Sequence, residues 1–295
     1  LKKYGAPIYV RHEIVHSRHV VNSLRHKGAV FVEELNEVPE GSVVIFSAHG
    51  VAKSVWEEAQ SRRLHVIDAT CPLVIKVHNE VNRDYTQGYE LILIGHAGHP
   101  EVIGTLGQIP DKFHLVSSVK DVESLHVEKT QNLSYVTQTT LSVDECRDIV
   151  EALHRRFPNI KGPHQEDICY ATQNRQNAVK SLSKLVDVIL VIGSPNSSNS
   201  NRLRELGEHC GIPSYLIDAA SDINPDWLKD AKSVGLSAGA SAPEVLVTEV
   251  VAYLKRLGSS EEVEELTVIE EDVEFLLPKE LVTIESASRV SASAN

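Results

Sequence analysis

The sequence predicts an α/β protein of three similar units with mostly parallel sheets. Three observations carry this. Short apolar runs alternate with amphipathic stretches along the chain, the pattern of strand–helix–strand winding. Polar strand ends recur at matched places: His16, His99 and Asn199 lie 83 and 100 residues apart, and His49, Thr139 and Ser241 lie 90 and 102 apart. Two cysteines, Cys71 and Cys169, stand 98 residues apart at the same point of the pattern.

The elements follow in order. Strands are expected at 7–10, 29–32, 42–46 and 65–68, then at 90–95, 113–116 and 133–136, then at 186–193, 214–217 and 233–236. Pro100 suits the first turn of a helix opening after His99, and Pro243 one opening after Ala242. Ser142-Val-Asp-Glu145 has the form of a capping box and starts a helix over 143–157. A helix over 201–210 stops at Gly211, which can adopt the left-handed C-cap. The expected units are 1–70, 71–168 and 169–258, followed by a tail, 259–295. In that tail, 265–269 and 273–277 read as added strands and 286–295 as disordered.

Charge and composition narrow the function. Of the net charge of −12, the tail holds −8, ten acids against two bases. No basic stripe is present, so nucleic-acid binding is excluded. No apolar run reaches the roughly 18 residues of a membrane span, and no secretion signal opens the chain. A cytoplasmic enzyme is expected. There is no methionine at all, and the chain is expected to begin inside a longer product. The four cysteines form no CxxC pair and read as structural, catalytic or metal-bound thiols rather than disulfides. Cys146 and Cys210 fall in helical stretches and read as packing residues.

Ligands of parallel sheets bind at the carboxyl ends of strands. Here those ends carry His16, His49, His99-Pro-Glu101, Thr139, Ser197-Ser198-Asn199 and Ser241. Hydroxyls, amides and imidazoles at helix starts make an anion cradle. Capping alone would also account for any one of them. Glu101, in a first helical turn, could act as an acid only if burial or a nearby anion raised its pKa. Cys71, Cys169 and an inferred third thiol would meet near a pseudo-three-fold axis. Three thiolates suit an iron–sulfur cluster with one open iron.

Eight segments in order resemble the 4-hydroxy-3-methylbut-2-enyl diphosphate reductases of the non-mevalonate isoprenoid pathway, over residues 4 to about 258. They are Tyr4-Gly-Ala-Pro-Ile-Tyr-Val-Arg-His-Glu-Ile-Val-His16, Phe-Ser-Ala-His49-Gly-Val, Asp-Ala-Thr-Cys71-Pro-Leu-Val, Ile-Gly-His-Ala-Gly-His99-Pro-Glu101-Val, Thr-Gln-Thr139-Thr-Leu-Ser, Asp-Ile-Cys169-Tyr-Ala-Thr, Asn196-Ser-Ser-Asn199-Ser-Asn-Arg-Leu and Ala-Gly-Ala-Ser241-Ala-Pro.

The resemblance implies a trefoil of three α/β domains around a [4Fe-4S] cluster. It implies a two-electron, two-proton loss of the allylic hydroxyl, giving isopentenyl and dimethylallyl diphosphate. By the same resemblance Cys71 and Cys169 ligate the cluster, Glu101 leads proton delivery and Thr139 lies near the hydroxyl. His16, His49, His99, Thr139, Ser197, Ser198, Asn199 and Ser241 contact the substrate, and a ferredoxin or flavodoxin supplies electrons. The family's first cluster cysteine lies in a Gly-Phe-Cys-Ala-Gly segment that would precede Leu1. Without it this chain is expected to hold the cluster poorly and to be inactive. Two other readings stay open: a cofactor-free phosphate-binding module, and a zinc hydrolase centred on His99 and Glu101.

Overall fold

A computed structural model describes residues 3–110, 113–258, 263–278 and 281. The first sheet holds β1 (Ile8–Arg11), β2 (Ala29–Val32), β3 (Val43–Phe46) and β4 (His65–Asp68). The second holds β5 (Glu90–Ile94), β6 (Phe113–Val116) and β7 (Leu133–Thr137). The third holds β8 (Val188–Ile192), β9 (Ser214–Ile217) and β10 (Val234–Ala238). Helices wind between them: α1 (Arg18–His26), α2 (Lys53–Ser61), α3 (Pro72–Thr86), α4 (Pro100–Leu106), α5 (Val119–Ser124), α6 (Val143–Arg156), α7 (Tyr170–Leu182), α8 (Ser198–His209) and α9 (Glu244–Arg256).

The three sheets repeat one topology. Their orders are β2-β1-β3-β4, β6-β5-β7 and β9-β8-β10, and every pairing is parallel. A parallel bridge between Ser134 and Lys161 stands beside β7 where β4 stands beside β3. Central strands are covered on both faces, which is why they read as unbroken aliphatic runs. In β5, Leu91 and Leu93 pack with Val77 and Val81 of α3, while Ile92 and Ile94 pack with Ile149 and Leu153 of α6. In β8, Ile189 and Val191 meet Val179 and Leu203, and Leu190 and Ile192 meet Leu246 and Val250. Each such side chain stabilises the fold by about 1.5–3 kcal/mol.

Each unit touches the other two. The Lys53 N–H donates to Gly107 O at 3.1 Å, and Gln108 Nε2 donates to Val51 O at 2.9 Å. A Cβ on Gly107 would fall 2.2 Å from the Ala52 Cβ, so glycine is what lets α4 approach the 50–52 loop. Gln176 on α7 donates to Leu141 O at 2.9 Å and accepts from Val143 N–H at 3.0 Å. Between the third and first units, the Ser241 hydroxyl donates to His16 O at 3.0 Å, and the Arg18 N–H donates to Ser194 Oγ at 3.1 Å. The three contacts close the ring of a trefoil.

Four sequence expectations need correction. Described residues 263–278 form no strand; they run as exposed irregular chain, because no sheet edge lies alongside to pair with them. Residues 286–295 lie outside the described residues. Cys210 is exposed at the C-cap of α8 rather than packed, whereas Cys146 is in the core as expected. Pro243 is the N-cap of α9, not its first residue. Ser142 caps α6 by accepting the Glu145 N–H, but the Glu145 carboxylate turns to Arg202 at 3.3 Å rather than closing a box.

Candidate active site

In all three sheets the chain runs from the central strand to one neighbour, then returns to the other side. The loops after β1 and β3, β5 and β7, and β8 and β10 therefore splay apart at a topological switch point, where parallel sheets open a crevice. Those six loops and the helix starts that follow them carry His16, His49, Glu101, Thr139, Asn199 and Ser241. The repeat seen in the sequence is this repeat of switch points.

Three imidazoles gather first. The His16 and His49 rings lie 4.2 Å apart between centroids, and His99 stands edge-on to both at 5.6 and 5.7 Å. Burial pushes His49 down to about 3 and His99 down to about 4, with their imidazole neighbours adding to each shift. Both are neutral donors or acceptors at pH 7. His99 caps α4: its Nδ1 accepts the Glu101 N–H at 3.2 Å, which leaves the ring proton on Nε2.

Glu101 is fully buried in the first turn of α4. The Thr139 N–H donates to Oε1 at 2.7 Å, and the Thr139 hydroxyl donates to Oε2 at 3.1 Å. Burial nevertheless wins and pushes the carboxyl up to about 7, with Asp167 adding to it. A group in that range can hold and release a proton at physiological pH.

From Thr139 the path reaches the thiols. Its carbonyl accepts the Cys169 N–H at 2.9 Å, and Ala48 O, next to His49, accepts the Cys71 N–H at 3.0 Å. Cys71 and Cys169 are the N-caps of α3 and α7 with matching backbone angles, φ −57° and ψ 132–133°. Both are free and half-buried. Burial raises the Cys71 thiol, the Leu73 and Val74 N–H groups at the start of α3 oppose this, and Cys169 and Glu101 nearby raise it further. Helix-start donors aimed at a sulfur suit a thiolate ligand. Among the described residues no three His, Cys, Asp or Glu side chains are grouped to hold a metal ion.

The α8 start completes the pocket. Ser197 is the helix N-cap, its Oγ accepting from the Ser200 N–H and hydroxyl at 3.3 and 3.0 Å. Both contacts use the oxygen as acceptor and leave the Ser197 O–H free to donate. Ser198 Oγ and both polar atoms of Asn199 are buried with no partner, as is His16 Nε2. Buried polar atoms without partners are rare, and these four belong to residues at the ends of strands β1 and β8. Gly193 and Gly239 make room for Ser200, whose Oγ lies 2.1 Å from where either Cβ would be.

Sequence reasoning passed over several residues. Gln138 accepts the His96 N–H at 3.1 Å and donates to Thr140 Oγ1 at 2.9 Å. Lys76 on α3 reaches Asp167 at 3.0 Å and the carbonyls of Gln165 and Glu166 at 2.6 and 3.2 Å, while the Thr137 N–H donates to Asp167 Oδ2 at 2.9 Å. This pins the segment before Cys169 to the helix that Cys71 starts. Burial holds the Asp167 carboxyl up to about 7 even beside Lys76, so Lys76→Met should lower the denaturant-unfolding stability by about 1–2 kcal/mol at pH 9 and by less at pH 6, where the stranded carboxyl takes up a proton. The tail also returns here: Asn174 Nδ2 donates to Glu271 at 2.9 Å, and Phe275 lies 6.4 Å from the Tyr170 ring, next to Cys169.

A buried acid, two unpaired thiols at helix starts, a cluster of three imidazoles and buried polar atoms left without partners define a redox enzyme acting on an anionic substrate. The family model described as LytB protein matches residues 1–255, and the chain belongs to that family. It is 60% identical over 281 residues to "4-hydroxy-3-methylbut-2-enyl diphosphate reductase 2" of Bradyrhizobium diazoefficiens, covering 95% of this chain and 91% of the relative. The corresponding reductase of Aeromonas salmonicida is 60% identical over 284 residues, with 95% and 91% covered. Among solved structures, the E-1-hydroxy-2-methyl-but-2-enyl-4-diphosphate reductase from Plasmodium falciparum superposes with a TM-score of 0.93 at 37% identity, covering 98% of this chain and 91% of that one. No helix among the described residues is long and apolar enough to cross a membrane.

Proposed function

We propose that this chain removes the allylic hydroxyl of (E)-4-hydroxy-3-methylbut-2-enyl diphosphate reductively, releasing water and giving isopentenyl and dimethylallyl diphosphate. The observation that carries this is the buried Glu101–Thr139 pair beside a crevice of unpartnered polar atoms. A phosphate-binding module alone would have no use for a carboxyl poised near neutrality.

The residues divide the work. His16, His49 and His99, with Ser197, Ser198, Asn199 and Ser241, hold the diphosphate through imidazole, hydroxyl and amide groups. Donors of this kind let a polyanion sit beside an electron-rich centre without a Lys or Arg clamp. The Thr139 hydroxyl orients the substrate hydroxyl, and Glu101 gives the proton with which that hydroxyl leaves as water. A second proton completes the hydrocarbon product, so two electrons and two protons are consumed per turnover.

Cys71 and Cys169 would hold the family's iron–sulfur cluster, with a third thiolate that neither core Cys146 nor exposed Cys210 supplies. When bound, a [4Fe-4S] cluster supplies the electrons one at a time, delivered by a ferredoxin- or flavodoxin-type donor. The test is an anaerobic assay of the iron- and sulfide-reconstituted protein with this substrate and a reduced electron donor. Both diphosphate products are expected; an iron-loaded, substrate-bound protein yielding neither sinks the proposal.

A further inference from the structure

Glu13, in the loop between β1 and α1, has no role in the mechanism above, yet it sits at the rim of the crevice. Its Oε2 lies 3.2 Å from His16 Nδ1 and accepts from Asn196 Nδ2 at 2.6 Å. An ionised carboxylate only accepts hydrogen bonds, so this contact requires the proton on His16 Nδ1. The other ring nitrogen, Nε2, is the buried one without a partner. If His16 were neutral, Nε2 would turn a lone pair toward the bound anion. With the carboxylate at its back, the ring can hold both protons and donate from Nε2.

The neighbours favour placing charge on this ring alone. His49, 4.2 Å away, and His99, 5.6 Å away, are both buried and held neutral. His12, on the same loop, is occupied by Glu33 at 2.9 Å, and Arg18, two residues on, by Asp218 at 3.0 Å. The Ser241 hydroxyl meets the His16 carbonyl, not its ring.

We infer that Glu13 is a positioning residue that fixes a proton on His16 and makes it the one cationic member of the three-histidine pocket. The inference rests on the diphosphate reading of the crevice. It has an unusual sign. A carboxylate beside an anion site should weaken anion binding by repulsion, so removing it should help. Acting through His16, Glu13 instead strengthens binding.

Calorimetry with inorganic pyrophosphate, from pH 6 to 8.5, separates the two and needs neither cluster nor turnover. Glu13→Gln should bind about tenfold more weakly than the unaltered chain at pH 7.5, with the difference narrowing as the pH is lowered toward 6. Glu13→Asp, which keeps the charge, should restore much of the affinity and the pH profile. Tighter or unchanged binding by a folded Glu13→Gln protein, with an unchanged profile, overturns the inference while leaving the diphosphate pocket standing. Failure of the unaltered chain to bind pyrophosphate at any pH overturns the pocket reading, and the inference with it.

Discussion

Glu101→Gln is expected to cut turnover by about two to four orders of magnitude while leaving substrate affinity within a few fold. Glutamine matches the shape of the side chain and can still accept the Thr139 N–H, so the turn of α4 and the loop after β7 stay in place. What it lacks is a transferable proton. Stability should move the other way. Below about pH 4.5 Glu101 is protonated in both the folded and the unfolded chain, and its burial costs nothing electrostatic. Between there and about 7 the folded chain keeps a proton that the unfolded chain has lost, so stability falls as pH rises. Above 7 the cost is complete, about 3 kcal/mol for such a shift. Thermal unfolding at pH 8 should therefore find the glutamine variant more stable than the parent, with the difference gone at pH 4. An active variant, or one destabilised at pH 8, contradicts this account of Glu101.

The second large effect falls on the thiols. Cys71→Ser and Cys169→Ser should each abolish iron and sulfide retention after anaerobic reconstitution of the protein. Neither side chain is in a hydrophobic core, so both variants should remain folded. Cys210→Ser should retain the parent's iron content, since α8 carries that thiol about 18 Å from its own start at the crevice. Cys146 should stay unreactive to alkylating agents in the native state, because burial pushes its thiol up to about 12. Full iron content in either Cys71 or Cys169 variant would remove that residue from the ligand set.

The fold was largely legible because these strands are buried on both faces. Runs such as Val188–Ile192 can serve as little else, and their polar tips mark where chains leave a parallel sheet. The site was legible for the same reason: switch points recur with the repeat, so His16, His99 and Asn199 announced one another. What stayed hidden depends on distant partners. Nothing near Asp167 in sequence says that Lys76 reaches it, and nothing near Glu13 names Asn196. Ser197 and Ser198 look alike in sequence, yet the Ser197 oxygen accepts from Ser200 while the Ser198 hydroxyl has no partner. The tail misled because its aliphatic residues suggested strands. Phe275 and Glu271 instead meet Tyr170 and Asn174 at the start of α7, a contact that composition does not encode.

The central claim is a carboxylic acid poised near neutrality at the hub of the trefoil, and infrared difference spectroscopy across a pH titration observes it directly. Burial also raises Asp167 to about 7, so the account predicts protonated-carboxyl absorption at pH 6 that disappears with a midpoint near 7 and loses the Glu101 component, leaving that of Asp167, in Glu101→Gln. A spectrum with no such band between pH 5 and 8, or one unchanged by the substitution, would mean that Glu101 is ionised throughout and is not the proton donor.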